Sequence, residues 1–291
     1  MDVSIIIVNY NTCKLILQAI KSIYTFCVNV DFEIIVVDNA STDNSKNIIT
    51  SNFPDVNFIE SDRNLGFGGA NNLGAKHARG KYLFLLNPDT IIKNNVLQFF
   101  LDYKFKNDPE DKTIGVMGAY LVDEELNLNT YGGDIINCFT PFNNLLNFFS
   151  HNKLNKDVTI TSGVGYVSGA DMFISKSIFD TIGGFDEGFF IYCEEVDLQK
   201  RIKDRGRKNI IIPGPNIIHL EGGGRYKSRG LSVRQFAMWQ QSRKYYINKH
   251  FNLFEKCMWK MFNIIYSLAL VLKQKWTIKE KFELYMIAIK S

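Results

Sequence analysis

The sequence predicts an α/β fold: a mixed, mainly parallel sheet flanked by helices, with a helical extension at the C-terminus. Three features predict it. Short β-branched apolar runs recur through the first third of the chain. Helix-like segments separate them. From about Leu231 onward the pattern reads helical to the end.

The apolar runs are Val3-Ser4-Ile5-Ile6-Ile7-Val8, Phe32-Glu33-Ile34-Ile35-Val36-Val37, Val56-Asn57-Phe58-Ile59 and Tyr82-Leu83-Phe84-Leu85-Leu86. Their length and near-continuous apolarity suit strands covered on both faces, as in a parallel sheet. Between them, Leu15, Ala19, Ile20, Ile23 and Tyr24 recur at helical spacing. Ser41-Thr42-Asp43 offers side chains that cap a second helix, and Gly69 to Ala78 reads as a third. From about Ile114 to His219, short strands, glycine-rich turns and one helix are expected. No repeat or linker interrupts them. The expected organisation is a main domain over 1–230, with halves 1–112 and 113–230, and a helical extension over 231–291.

Composition limits the class. Of 291 residues, 46% are hydrophobic and 22% charged, which excludes wholesale disorder. No apolar run reaches the roughly 18–20 residues of a membrane-spanning helix. Met1-Asp2-Val3-Ser4 places no basic segment before the first apolar run, so no secretory signal is expected. Five scattered cysteines without a C-x-x-C pair predict reduced thiols and a cytoplasmic setting. The net charge of +4 is uneven. Residues 1–239 carry 24 Lys+Arg against 27 Asp+Glu, a balance of −3. Residues 240–291 carry 10 against 3, a balance of +7.

Ligands of open α/β sheets bind beyond the carboxyl ends of the strands, so the residues after each run carry the chemistry. Asn9-Tyr10-Asn11 follows the first: an aromatic with flanking amides can stack on a base, or simply make a turn. Asp38-Asn39 follows the second, and the Asp38 carboxylate can accept from a pyrimidine N–H or a ribose hydroxyl. Arg63-Asn64-Leu65-Gly66-Phe67-Gly68-Gly69-Ala70-Asn71-Asn72 follows the third. Its glycines allow close approach of backbone to a ligand, and the following helix amino terminus favours an anion. The spacing is not the dinucleotide-binding fingerprint. Asn87-Pro88-Asp89-Thr90 follows the fourth and suits a hard divalent cation, with an Asp-Thr helix cap as the structural alternative. Further on, Glu194, Glu195 and Asp197 open a helix after an aromatic-rich stretch. Acids at a helix start suit its dipole, and one of them can also take a proton from a hydroxyl nucleophile. His219 heads a Gly-Gly-Gly loop with Arg225 and Lys227, which can close over a diphosphate.

These segments closely resemble the family-2 glycosyltransferases, most strongly the rhamnosyltransferase-like branch. The resemblance is carried by Ile5 to Asn11, Val36 to Asp43, Asn64 to Asn72 and Leu85 to Thr90. Ser168-Gly169-Ala170, Phe190 to Leu198 and His219 to Gly224 extend it, over roughly residues 3–230. It implies a GT-A, Rossmann-like fold, a nucleotide-sugar donor, Mg2+ or Mn2+, and inverting transfer. By position it implies Asp38 as the nucleobase-binding acid, Asn87-Pro88-Asp89 as the metal motif and Glu195 as the catalytic base. His219 becomes a further metal or diphosphate ligand, and Gly169 part of the sugar and acceptor pocket. The donor site would draw on Asn9, Tyr10, Asn39, Arg63, Gly66, Gly68, Asn71, Asn87, Arg225 and Lys227. Two departures stand out. Asn87 replaces the first metal-motif acid, and Glu195 replaces the usual Asp with a side chain one methylene longer. Glu194 and Asp197 therefore stay open as alternative bases.

The resemblance further implies an acceptor that is a glycan or a polyprenyl-diphosphate-linked glycan, in surface polysaccharide synthesis. dTDP-rhamnose is the first expected donor and a UDP-hexose the second. In the tail, Met261 to Leu272 is an apolar stretch between Lys260 and Lys273. It suits peripheral contact with an anionic membrane, at the cytoplasmic face of the inner membrane, or packing on the main domain or on a second copy in a homodimer. Nucleic acid is not an expected partner. A nucleotidyltransferase would carry a basic glycine-rich loop where Asn9-Tyr10-Asn11 stands, and a scaffold protein of the same fold would perform no hydrolysis.

Overall fold

The computed structural model describes residues 1–150, 158–220 and 232–273, together with 277, 281, 282, 284 and 286. The chain forms two compact units. The first comprises Met1–Asp134, Asp157–Phe190 and Glu194–Gly224; the second comprises Ile135–Lys156, Ile191–Cys193 and Arg225–Ser291.

The first unit is built on a ten-stranded sheet. Its strands begin with β1 (Val3–Asn9), β2 (Phe32–Asp38), β3 (Asn57–Glu60), β4 (Tyr82–Leu86), β5 (Thr90–Ile92) and β6 (Ile114–Val122). β7 (Leu128–Thr130), β8 (Gly132–Gly133), β9 (Ser162–Val164), β10 (Tyr166–Val167), β11 (Asp171–Ser175) and β12 (Lys208–His219) follow. The order is β3-β2-β1-β4-β11-β6-β12-β5, with β7 on β6 and β9 on β12; β8 and β10 pair separately. β3, β2, β1 and β4 run parallel, β11 is antiparallel to both β4 and β6, and β12 is parallel to β6. Two antiparallel steps restore the direction, so the carboxyl ends of β1, β2, β3, β4 and β12 share one edge of the sheet.

Alternation along the strands sends side chains to two cores. Ile5 and Ile7 of β1 join Ile16 and Ile20 of α1 (Cys13–Phe26), Ile49 of α2 (Ser45–Asn52) and Phe100 of α4 (Val96–Asn107). Ile6 joins the opposite core with Ala70 and Ala75 of α3 (Gly66–His77), Phe179 of α6 (Lys176–Ile182) and Leu198 of α7 (Glu194–Lys203). Helices thus cover both faces, as the continuous apolar runs require. Among the described residues of 114–219, expected to hold one helix, there are three: α5 (Thr140–Ser150), α6 and α7. α6 is short because Gly183, at φ +86°, ends it in a left-handed cap.

The second unit contains α5, α8 (Val233–His250) and α9 (Leu253–Lys273). Ser232 caps α8 in a reciprocal box with Gln235. Between α8 and α9 the buried Arg243 guanidinium is stacked on Trp239 and Trp259, 4.1 and 4.4 Å from the ring centroids. Burial lowers its pKa to about 10.

Candidate active site

The strand-end edge begins at Asn9 and Asp38, the last pair of the β1–β2 ladder. Both are buried, and Asn9 Nδ2 donates to Asp38 Oδ1 at 2.7 Å. The Ser41 amide donates to Asp38 Oδ2 at 3.0 Å, and Thr12 Oγ1 donates to Asn9 Oδ1 at 2.8 Å. Each carboxylate oxygen of Asp38 keeps a further lone pair for a ligand. Tyr10, directly after Asn9, is half exposed.

Asn39 extends the network across β3. Its Nδ2 donates to Asn64 Oδ1 at 3.0 Å and to the Gly66 carbonyl at 3.1 Å. Its Oδ1 accepts from the Leu65 amide, and Asn64 Oδ1 accepts from the Gly66 amide. Two amide side chains thus satisfy backbone N–H groups where α3 begins, the groups expected to face an anion. The glycines differ from expectation in the same way. Gly66, at φ +74°, lies where a Cβ would overlap the Phe190 carbonyl oxygen, and the Phe67 amide donates to that oxygen at 3.1 Å. A Cβ on Gly68 would meet Phe185 at 2.9 Å and Glu194 at 3.6 Å. The close approach these glycines allow is between chain segments. Asn71 is buried with its Nδ2 on the Phe67 carbonyl, and Arg63 is exposed on the loop.

The segment held by Gly66 leads into the acids. Tyr192 and Cys193 carry left-handed backbone, φ +70° and +67°, a conformation that costs about 1–2 kcal/mol per non-glycine residue. α7 then opens with all three candidate acids in its first turn. Glu195 is half-buried, and burial raises its carboxyl above the ordinary range. Glu194 is buried with Oε2 lacking a hydrogen-bond partner; burial, and then the charge of Glu195, pushes it up well above that range. Asp197 is fully buried, and Oδ2 accepts from Arg201 Nε at 2.8 Å. Arg201 also donates to the Ile182 and Gly184 carbonyls, so this pair ties α7 to the end of α6.

Gly169 joins these acids to the fourth strand. A Cβ there would lie 3.7 Å from Glu195 Cβ and 3.6 Å from the Phe67 ring. One residue on, the Ala170 carbonyl accepts from the Asn87 amide at 3.0 Å. Thr90 Oγ1 donates to the Asn87 carbonyl, but no helix starts there. Thr90 opens β5, which pairs with β12 and sets Thr90 opposite His219. That pairing brings His219 Nε2 to 3.4 Å from Asp89 Oδ1, both largely buried, while the Leu220 amide donates to the Asp89 carbonyl. His219 Nδ1 is buried without a partner. Among the described residues no group of three or more His, Cys, Asp or Glu forms a ready metal cage. Asp89 and His219 nonetheless fit a divalent ion of the kind that takes one or two protein donors and completes its shell with phosphate oxygens and water. Arg225 and Lys227 lie outside the described residues.

Two features escaped sequence reading. Asn64 anchors the glycine loop, and its place directly before Leu65-Gly66 was the available signal. Asp171, at the start of β11, is wholly buried; Oδ2 accepts from the Ala119 amide and Oδ1 has no partner. Burial raises its pKa well above the ordinary value. The unfolded chain releases this proton near pH 3.9, so the stabilisation is complete below that pH and is lost as pH rises through the folded value. Asp171→Asn removes the titration. Its stability relative to the native chain should rise in urea melts as pH increases above about 4, the unfolded-chain value. Parallel pH slopes for the two proteins would reject this account.

Comparison with known proteins shows the family and the fold. The description "Glycosyl transferase family 2" matches residues 4–183. A low-salt glycan biosynthesis hexosyltransferase of Haloferax volcanii is 30% identical over 220 residues, covering 72% of this chain and 64% of that protein. An N-acetylglucosaminyl-diphospho-decaprenol L-rhamnosyltransferase of Mycobacterium tuberculosis is 24% identical, covering 64% of this chain and 66% of that protein. The match therefore spans just under two thirds of these relatives. The crystal structure of GalNAc-T7 with UDP, GalNAc and Mn2+ superposes with a TM-score of 0.62 at 16% identity, covering 99% of this chain and 54% of that one. The crystal structure of S. aureus TarS, residues 1–349, gives 0.55 at 13%, covering 100% and 91%. The fold is the GT-A fold expected from the sequence, and with more than half of its length matched, the chain belongs to glycosyl transferase family 2.

Proposed function

We propose that this protein is an inverting glycosyltransferase. It moves a sugar from a nucleoside-diphosphate donor to a hydroxyl of a glycan or lipid-linked glycan, in surface polysaccharide synthesis at the cytoplasmic face of the inner membrane. The observation that carries the reading is one edge of the sheet. Asp38, Asp89 and His219 lie at or just beyond the carboxyl ends of like-directed strands, and the segments of Asn39, Gly66, Phe67, Gly169 and Asn87 lead from them to the neighbourhood of Glu195.

Asp38 and Asn9 hold the base and ribose, with Tyr10 available to stack. Glu195 takes the proton of the acceptor hydroxyl as that oxygen attacks the anomeric carbon, and the nucleoside diphosphate leaves from the opposite face. Its raised pKa, set by burial, strengthens it as a base. Asp197 is occupied by Arg201, and Glu194 is too buried to ionise readily, so neither competes for this role. Asp89 and His219 would hold Mg2+ or Mn2+, which when bound stabilises the charge developing on the leaving diphosphate. dTDP-rhamnose is the favoured donor, since relatives include proteins named as rhamnosyltransferases, and UDP-hexose is second.

A thermal-shift screen of dTDP-, UDP- and GDP-sugars with and without Mn2+ tests this reading. One donor class should raise Tm, by an amount that follows ligand concentration over Kd, and Asp89→Asn should abolish the Mn2+-dependent part. Full metal dependence in Asp89→Asn rejects its role, and no shift with any donor rejects the function.

A further inference from the structure

α9 is polarised the wrong way round for a helix that merely packs on its own unit. Phe254, Cys257, Met261, Ile265 and Leu268 are all exposed. At about 100° per residue they fall within about 40° of one line along the helix, and no charged residue interrupts them. The buried side carries polar groups instead: Asn263 and Ser267 lie beside Trp259, and Gln240 Nε2 of α8 donates to Ser267 Oγ. Water therefore meets the apolar side of α9, and its polar side is taken by the helical unit. The apolar surface continues sideways. Phe262 contacts the rings of Phe139 and Phe142, at 6.0 and 5.2 Å, and Phe142 and Leu146 of α5 are themselves exposed.

We infer that this α9–α5 face rests on an anionic lipid surface. It deepens the reading above by naming the surface on which the acceptor is met. Charge favours lipid as the occupant. Residues 240–291 hold 10 Lys+Arg against 3 Asp+Glu, and the exposed Lys260 borders the stripe on the side away from α5. An apolar strip bordered by an exposed lysine lies in the plane of the interface, with its rings among the acyl chains and the Lys260 ammonium at the phosphates. A second copy of this face would bring like charge against like charge.

Flotation of the full chain with phosphatidylcholine vesicles, with and without phosphatidylglycerol, tests the inference. The native protein should float with the phosphatidylglycerol vesicles, and less so at high salt. Met261→Glu with Ile265→Glu should bind roughly tenfold more weakly or worse, while keeping helical circular dichroism and transfer to a water-soluble acceptor. Lys260→Glu should lose only the preference for anionic vesicles. Failure of the native protein to float overturns the inference, as does equal flotation of the double variant. A native dimer that ignores vesicles and is split by the double variant assigns the face to a second copy and also overturns it. Flotation without sugar transfer under any donor sinks the enzymatic reading and leaves this one standing.

Discussion

Glu195→Gln should bind donor like the native protein and transfer sugar about 10²–10⁴-fold more slowly, the usual worth of a general base. The amide keeps the shape of the side chain and removes its ability to hold a proton. Because burial raises the Glu195 carboxyl, the acid limb of the native rate profile should lie above the ordinary glutamate value of about 4.3. Activity falls as pH drops through that limb, since the protonated carboxyl accepts nothing, and the limb should vanish in Glu195→Gln. Two neighbours separate chemistry from position. Glu194→Gln replaces an acid whose neutral form burial and the charge of Glu195 favour, so most of the rate should survive. Asp197→Asn breaks the buried pair with Arg201 and should lower stability while sparing the chemical step in the folded fraction. A native rate in Glu195→Gln with a collapsed rate in Glu194→Gln would transfer the role to Glu194.

Gly66→Ala should destabilise the protein by about 2–5 kcal/mol, from left-handed backbone strain and from overlap with the Phe190 carbonyl. Neither end of that contact yields easily. Gly66 is held from one side by Asn39 and Asn64, and Phe190 leads into the left-handed residues before α7. Relief by moving Phe190 would shift Glu195, so the folded fraction should also lose rate. Chemical denaturation and kcat, measured together, check both effects. A Gly66→Ala protein with native stability would show that the loop and the acid-bearing segment are not braced against each other.

Much of the first unit was legible because parallel strands covered on both faces are nearly continuously apolar, as the runs of β1, β2 and β4 are; β3, at the sheet edge, departs from that expectation and is only partly buried. The strand ends then named Asn9, Asp38 and Asp89 directly. The glycine loop shows where reading residues in order fails. Three glycines before a helix look the same whether a phosphate or a carbonyl approaches them, and only the position of Phe190 decides between the two. The Asp-Thr pair after Asn87 likewise reads as a helix cap until β12 pairs with β5 and turns Thr90 into a strand residue.

The three acids of α7 make the same point about chemistry. Helix periodicity and dipole place all three in one turn, but their differing burial and the reach of Arg201 set them apart. The sequence by itself determined the class of fold, the family and the residues at the strand ends, since local apolar runs and contiguous motifs encode these. The tertiary structure alone decided which glycines brace protein, which of the three acids are enclosed and which is only half-buried, and which side of α9 faces water. Each of those depends on a partner distant in the chain, and burial, the quantity that moves pKa and exposes apolar surface, exists only once those partners have met.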